Sequence, residues 1–280
     1  MTRRSIAAII TTFLVSVTGT GLASGWYFGQ ETLPEGAVHS TMQSSVLGET
    51  RELIVHPPEN YADQPERRYP VIYVLDGSSQ DTHTASSAAL MARIGLMPQV
   101  IVVGLPNVSG EGRQRDYTPP FMRQDLDEEG SAMGRGDRFI AFLKTEIIPE
   151  IDRRYRTTSP RMLAGHSRGG LLVAYSLMHE PDLFQARFAH SPALFRDDAI
   201  MAKRLEEYFA RGPTSSSFFY MSMGGKEVPH MLAAFERVRD VLAAKAPPGL
   251  RWQADRTPGA DHGHNGEWAT PVGFRALYRD

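Results

Sequence analysis

A chain of 280 residues, 41% of them hydrophobic, can bury a sizeable core and reads as one α/β domain rather than two. A formal charge of -2 argues against a protein whose affinity comes from neutralising phosphates, so nucleic acid is not an expected partner. The absence of cysteine removes disulfides, thiolate nucleophiles, Cys-ligated zinc and iron-sulfur clusters.

The N-terminus reads as a secretory signal over residues 1–24. Thr2-Arg3-Arg4 precede an uncharged, largely apolar run from Ser5 to Val17, and small residues follow, with Gly21-Leu22-Ala23 as the cleavage site. A retained membrane anchor is the competing reading, but the run falls short of the roughly 20 apolar residues that a span needs. Export to the periplasm or the medium is expected, with residues 25–280 forming the single domain. The leader holds two arginines and no acid, so its removal takes the formal charge to -4.

Gln30 to Gln43 is a polar leader, and Val46 to Pro58 reads as an antiparallel edge strand halted by Pro57-Pro58. Pro70 to Leu75 and Val100 to Leu105 are continuous apolar runs suited to strands buried on both faces. The weakly helical stretch Ala85 to Leu96 joins them, which makes a right-handed parallel crossover. Pro106 to Gly136 is rich in Gly, Pro, Asp and Arg and too long for a simple connection, so it is expected to overhang a site. Asp137 can cap a helix whose apolar face is Phe139, Phe142, Leu143, Ile147 and Ile151, with Pro149 as a point of bending.

Met162-Leu163-Ala164 then drive into Gly165-His166-Ser167-Arg168-Gly169, after which Leu171, Leu172, Tyr175 and Met178 recur at helical spacing. A strand, a tight turn and a helix are implied, and the glycines two before and two after Ser167 let strand and helix approach. Ser167 is the candidate nucleophile. Further strands are expected at Ala186 to Ala189, Phe218 to Met223 and Leu250 to Ala254, alternating with helices from about Asp198, Pro229 and Pro271. The alternation gives an open, mostly parallel α/β sheet with helices on both faces.

A serine hydroxyl needs a base to take its proton and an acid to orient that base. On this fold the partners follow in the order serine, acid, histidine, each after a later strand. Glu227 follows the strand that ends at Met223, and His262 lies in the loop after the strand that ends near Ala254. His264 rivals His262, and Asp255 and Asp261 rival Glu227. His262 and His264 can also be read as a pair of metal ligands. The oxyanion requires two amide donors. One is the N–H of Arg168; the other comes from the turn after Leu75, with Gly77 favoured over Ser78. Arg113 and Arg115, in the long loop, can hold an anionic group of a substrate or can simply pin the loop to aspartate.

Several motifs in order carry a family resemblance: Tyr73-Val74-Leu75-Asp76-Gly77, Val103-Gly104-Leu105-Pro106-Asn107, Arg113 to Pro119, Glu150 to Arg156, the turn at Gly165 to Gly170, and Ser191-Pro192. Together they resemble the putative esterase family of α/β-hydrolases, which includes the enterochelin esterases and relatives of esterase D. The resemblance spans roughly Val46 to Tyr278. It implies a carboxylic-ester hydrolase that uses Ser167 and a histidine matching His262, which stands directly before Gly263. A small ester, a siderophore ester among the candidates, is the implied substrate, with no metal or organic cofactor required. Arg168 departs from the family pattern at a position often held by an uncharged residue, and His264 is an extra histidine. An acyltransferase, a peptidase or a non-catalytic binding protein on the same scaffold are the rival functions.

Overall fold

A computed structural model of the chain describes residues 36–212 and 216–279. The signal-like segment 1–24 lies outside the described residues. The eight strands are β1 (Val38–Ser44), β2 (Glu49–His56), β3 (Tyr69–Leu75), β4 (Ile101–Leu105), β5 (Thr157–His166), β6 (Ala186–His190), β7 (Ser217–Gly224) and β8 (Leu250–Thr257). They form one sheet in the order β1-β2-β4-β3-β5-β6-β7-β8. β1, β2 and β4 pair antiparallel, and every pair from β4 to β8 is parallel.

Burial follows composition. Every residue of β3, β4 and β6 is buried, as expected for central strands covered on both faces. The helices are α1 (Asp81–Arg93), α2 (Gly110–Tyr117), α3 (Gly136–Phe142), α4 (Ile148–Arg154), α5 (Arg168–His179), α6 (Arg196–Phe209), α7 (Pro229–Lys245) and α8 (Asn265–Leu277). The two faces of the sheet carry separate apolar layers. The larger includes Leu75, Phe139, Leu163, Leu172 and Phe235; the smaller includes Ile72, Met91, Phe188 and Phe274.

Five features depart from the sequence reading. Residues 38–44 are not leader but the true edge strand: β1 pairs along all of β2, so β2 is an inner strand. β1 is mostly exposed, so no burial alternation announced it. The long connection after β4 contains α2, opened by Ser109, whose hydroxyl accepts from the Gly112 amide at 2.9 Å. Asp137 sits in the first turn of α3 without capping it. α3 and α4 are joined by a π-helical turn, Leu143–Ile147, next to Pro149, whose missing N–H removes a rung of the helical ladder. Finally, α8 begins at Asn265, so Pro271 lies inside it rather than at its start.

Among the described residues no helix is long and apolar enough to cross a membrane. The carboxyl ends of β3, β5, β6 and β7 converge where the chain passes into Asp76-Gly77-Ser78, Ser167, Ser191 and Gly224. Parallel α/β sheets place ligands at this edge.

Candidate active site

β5 and α5 meet at Ser167, whose backbone has φ 56° and ψ -115°. This is a strained conformation for a residue with a side chain, and it is held by three backbone hydrogen bonds. The Ser167 amide donates to the His190 carbonyl at 2.9 Å, while its own carbonyl accepts from Leu171 and from Ala193, each at 3.0 Å. A Cβ on Gly165 would come within 2.6 Å of the Gly169 carbonyl carbon. The glycine thus permits the helix to pass close beside the strand.

His262 comes to this hydroxyl from the loop between β8 and α8. Its Nε2 lies 3.0 Å from Ser167 Oγ, and its Nδ1 lies 3.0 Å from both carboxylate oxygens of Glu227. The Glu227 side chain is 2% exposed and that of His262 is 43% exposed. A carboxylate on Nδ1 fixes the proton there and leaves Nε2 as an acceptor for the serine proton. His264 is turned away; its Nδ1 pairs with Asp261 at 2.7 Å in solvent. Asp255 accepts from Gln253 at 2.6 Å. The structure therefore brings His262 and Glu227 to Ser167 and leaves their rivals elsewhere.

Behind Glu227 stands a polar chain that the sequence reading missed. The Ser191 hydroxyl donates to Glu227 Oε1 at 2.5 Å. The two protons of Asn265 Nδ2 go to Ser191 Oγ and Ser222 Oγ, each at 3.0 Å. Ser222 in turn lies 3.0 Å from His190 Nδ1, and His190 Nε2 lies 3.3 Å from Thr270 Oγ1, which itself donates to the Gly266 carbonyl. Because Thr270 spends its proton on Gly266, it accepts from His190 Nε2–H; His190 Nδ1 then accepts from Ser222. Burial pushes His190 down to about 3, which keeps it neutral as this tautomer requires. Glu227 consequently receives protons from both sides, from His262 and from Ser191. The available signal was position: Ser191 and Ser222 stand at the carboxyl ends of β6 and β7.

His166 occupies the turn without serving as a base. Its Nε2 lies 2.7 Å from the His262 carbonyl, and the two rings are 4.6 Å apart. Burial, then the neighbouring His262, lowers it to about 4. It pins the loop that carries His262.

Comparison with known proteins places the chain in a family. A family described as "Putative esterase" matches residues 44–247. The chain belongs to this esterase family. It is 26% identical over 249 residues to the ferri-bacillibactin esterase BesA of Bacillus subtilis, covering 82% of this chain and 85% of that one. It superposes on the crystal structure of an IroE-like serine hydrolase from Shewanella oneidensis with a TM-score of 0.79 at 30% identity, over 87% of this chain and 80% of that one. The BES protein from Bacillus cereus shares the fold, with a TM-score of 0.78 at 22% identity over 90% and 99% of the two chains. The protein is a carboxylic-ester hydrolase on the α/β-hydrolase fold.

Two parts of the sequence reading need correction in this esterase. Gly77 cannot offer its amide to an oxyanion, because that N–H donates to the Leu105 carbonyl at 3.1 Å. Its glycine identity serves packing: a Cβ there would lie 2.4 Å from the Leu105 nitrogen. The amide of Ser78, at φ 76°, has no acceptor among the described residues and is the available donor of that turn. The side chains of Arg113 and Arg115 are likewise committed. Arg113 clasps Asp76 through Nε at 2.5 Å and Nη2 at 2.9 Å, and Asn107 adds a third donor to the same carboxylate. Arg115 binds Asp116 at 2.8 Å and Glu49 at 2.6 Å, and these partners raise it above the ordinary arginine range. Arg51, in β2, completes that cluster through Glu49 and Asp116. Both arginines pin the loop, because a carboxylate already fills each fork.

Proposed function

We propose that this esterase hydrolyses small esters of the siderophore type through Ser167, His262 and Glu227, by way of an acyl-enzyme, after export through its N-terminal signal, as a single domain over residues 25–280. The observation that carries the mechanism is the run of 3.0 Å contacts from Ser167 Oγ through His262 to Glu227. The substrate class is supported by relatives whose names assign them siderophore esters.

Ser167 Oγ attacks the ester carbonyl as its proton passes to His262 Nε2, and Glu227 stabilises the resulting imidazolium. The oxyanion is held by the amides of Arg168 and Ser78, the second replacing Gly77. His262 then gives its proton to the leaving alcohol, which departs and leaves the acyl group on Ser167. A water that loses its proton to His262 attacks the acyl carbonyl; the carboxylic acid leaves, and the proton returns to Ser167.

The test uses a series of p-nitrophenyl esters and a catecholate trilactone, with the wild type and Ser167→Ala compared. The expected result is a loss of turnover on the order of 10⁶ on every substrate that the wild type cleaves. A fluorophosphonate probe should label the wild type alone. Equal labelling of both proteins, or full turnover by the variant, refutes the nucleophile.

A further inference from the structure

Most charged side chains around the Ser167 turn have a counter-charge; Arg168 does not. It lies at the start of α5, one residue after Ser167, and its Nη1 donates to Thr118 Oγ1 at 2.8 Å and to the Gln124 carbonyl at 2.9 Å. These are neutral acceptors. No carboxylate lies within ion-pair distance of Arg168 among the described residues, and its Nε and Nη2 have no partner there. Those two atoms make up one flat edge of the guanidinium, the edge that grips a carboxylate in a fork. Arg168 is half-buried, and this edge is not sealed from solvent.

The surroundings reinforce the charge. Arg196, at the start of α6, donates Nη2 to the Arg123 carbonyl at 2.8 Å and to the same Gln124 carbonyl at 3.1 Å. Two guanidiniums thus share one carbonyl oxygen, and Arg196 Nε is buried without a partner. Arg196 also has no carboxylate within ion-pair distance among the described residues; Asp197 and Asp127 act on it, and Asp125 on both arginines, only from farther off. Loss of water, then the neighbouring Arg196 and Arg113, pulls Arg168 down to about 10. An arginine whose role is only to brace the fold looks different here. Arg187 is fully buried and has no carboxylate within ion-pair distance among the described residues, yet Nε, Nη1 and Nη2 all donate, to Ser176 and to the carbonyls of Phe184, Ser176, Glu180 and Pro181.

We propose that the free edge of Arg168, backed by Arg196, is a subsite for a pair of anionic oxygens on the ester substrate, a carboxylate being the simplest case. The proposal rests on Ser167 being the nucleophile. The residue that presents this edge also presents the Arg168 amide to the oxyanion, so the anion would sit within one arginine's length of the scissile carbonyl. Filling the fork would offset the mutual repulsion of two desolvated cations. The same chemistry can come from either half of the ester, so the experiment separates them.

For the acyl half, mono-p-nitrophenyl glutarate is compared with p-nitrophenyl valerate, which has a methyl in place of the carboxylate. For the alcohol half, meta-acetoxybenzoate is compared with meta-acetoxybenzamide. Rates are taken above the uncatalysed background. The wild type should favour the anion in at least one pair by about 10-fold in kcat/KM, and added salt should shrink that preference. Arg168→Gln should bring the ratio to about one, Arg168→Lys should keep part of it, and Arg196→Gln should reduce it less. A wild type with no anionic preference in either pair overturns the subsite, and so does a preference that survives Arg168→Gln. If Arg168→Gln does not fold, the wild-type ratio, its salt response and Arg168→Lys decide. Turnover that persists in Ser167→Ala would remove the nucleophile and the subsite together, whereas a Ser167-dependent enzyme without anionic preference would lose the subsite alone.

Discussion

Glu227 and Arg168 are both charged side chains drawn away from water beside Ser167, and they are compensated in different ways. Glu227 is 2% exposed and receives protons from His262, on one side, and Ser191, on the other. Donors point at that carboxylate from both sides, Ser167 through His262 on one and Asn265 through Ser191 on the other, while the second Asn265 proton runs away from it through Ser222 and His190 to Thr270. Arg168 has two neutral acceptors, a second cation for a neighbour and an edge with no partner. On the proposed mechanism, the contrast separates the machinery from the place a ligand would complete. A group that must hold one position through a reaction is enclosed by hydrogen bonds, whereas a recognition group keeps its donors for a ligand.

The largest expected effect comes from opening the closed side at its centre. Glu227→Gln keeps the shape but offers a neutral amide to His262, so nothing offsets the imidazolium. Steady-state kinetics should show kcat lower by about 10³ to 10⁴, with labelling by fluorophosphonate slowed in parallel. A loss below tenfold would mean that Glu227 is not the orienting acid, and the contrast with Arg168 would collapse.

Ser191→Ala sharpens the comparison by removing only the outer donor to Glu227. His262 then holds the carboxylate alone, so kcat should fall about 10-fold with KM unchanged, as for the loss of one hydrogen bond to a charged group. Ser191→Thr, which keeps the hydroxyl, should recover most of it. If both variants lose stability and KM shifts with kcat, Ser191 is packing rather than a positioning residue.

The smallest effect concerns the far end of the same chain and is read as stability against pH. His190 and His166 are pushed down by burial to about 3 and about 4, below the ~6.5 of an unfolded histidine. Below ~6.5 the unfolded chain binds protons that the folded one refuses. Their contribution is therefore full above ~6.5 and is lost as pH falls from there towards 4 and 3. Each neutral histidine adds a slope of about 1.4 kcal/mol per pH unit in that window. Urea unfolding of the wild type and His190→Gln across it should show a shallower slope in the variant; equal slopes would mean that His190 is not held neutral.

Much of the site is legible in the sequence. Gly165-His166-Ser167-Arg168-Gly169 between an apolar strand and an amphipathic helix specifies its own conformation, because the glycines answer a local steric demand. An order of serine, acid and histidine follows from the alternation of strands and helices, but His264, Asp255 and Asp261 fit that order as well, and only the fold brings His262 and Glu227 to Ser167. What stayed hidden involved partners with no local signature. Ser191, Ser222 and Asn265 are ordinary polar residues on three different elements, and only the register of β6 against β7 and the start of α8 bring them into one chain. β1 stayed hidden because an exposed edge strand carries no burial pattern.

The amino-acid sequence by itself determined the sharp turn at Ser167, the buried parallel strands that lead to the site and the chain order of its three polar residues, since each depends on steric or hydrophobic demands among near neighbours. The tertiary structure alone decided which amide and which arginine remain available. The Gly77 amide is taken by Leu105 and the Arg113 fork by Asp76, while Ser78 and Arg168 keep theirs. Such choices depend on which acceptor lies across the sheet edge at about 3 Å, and that distance is set by packing between segments far apart in the chain.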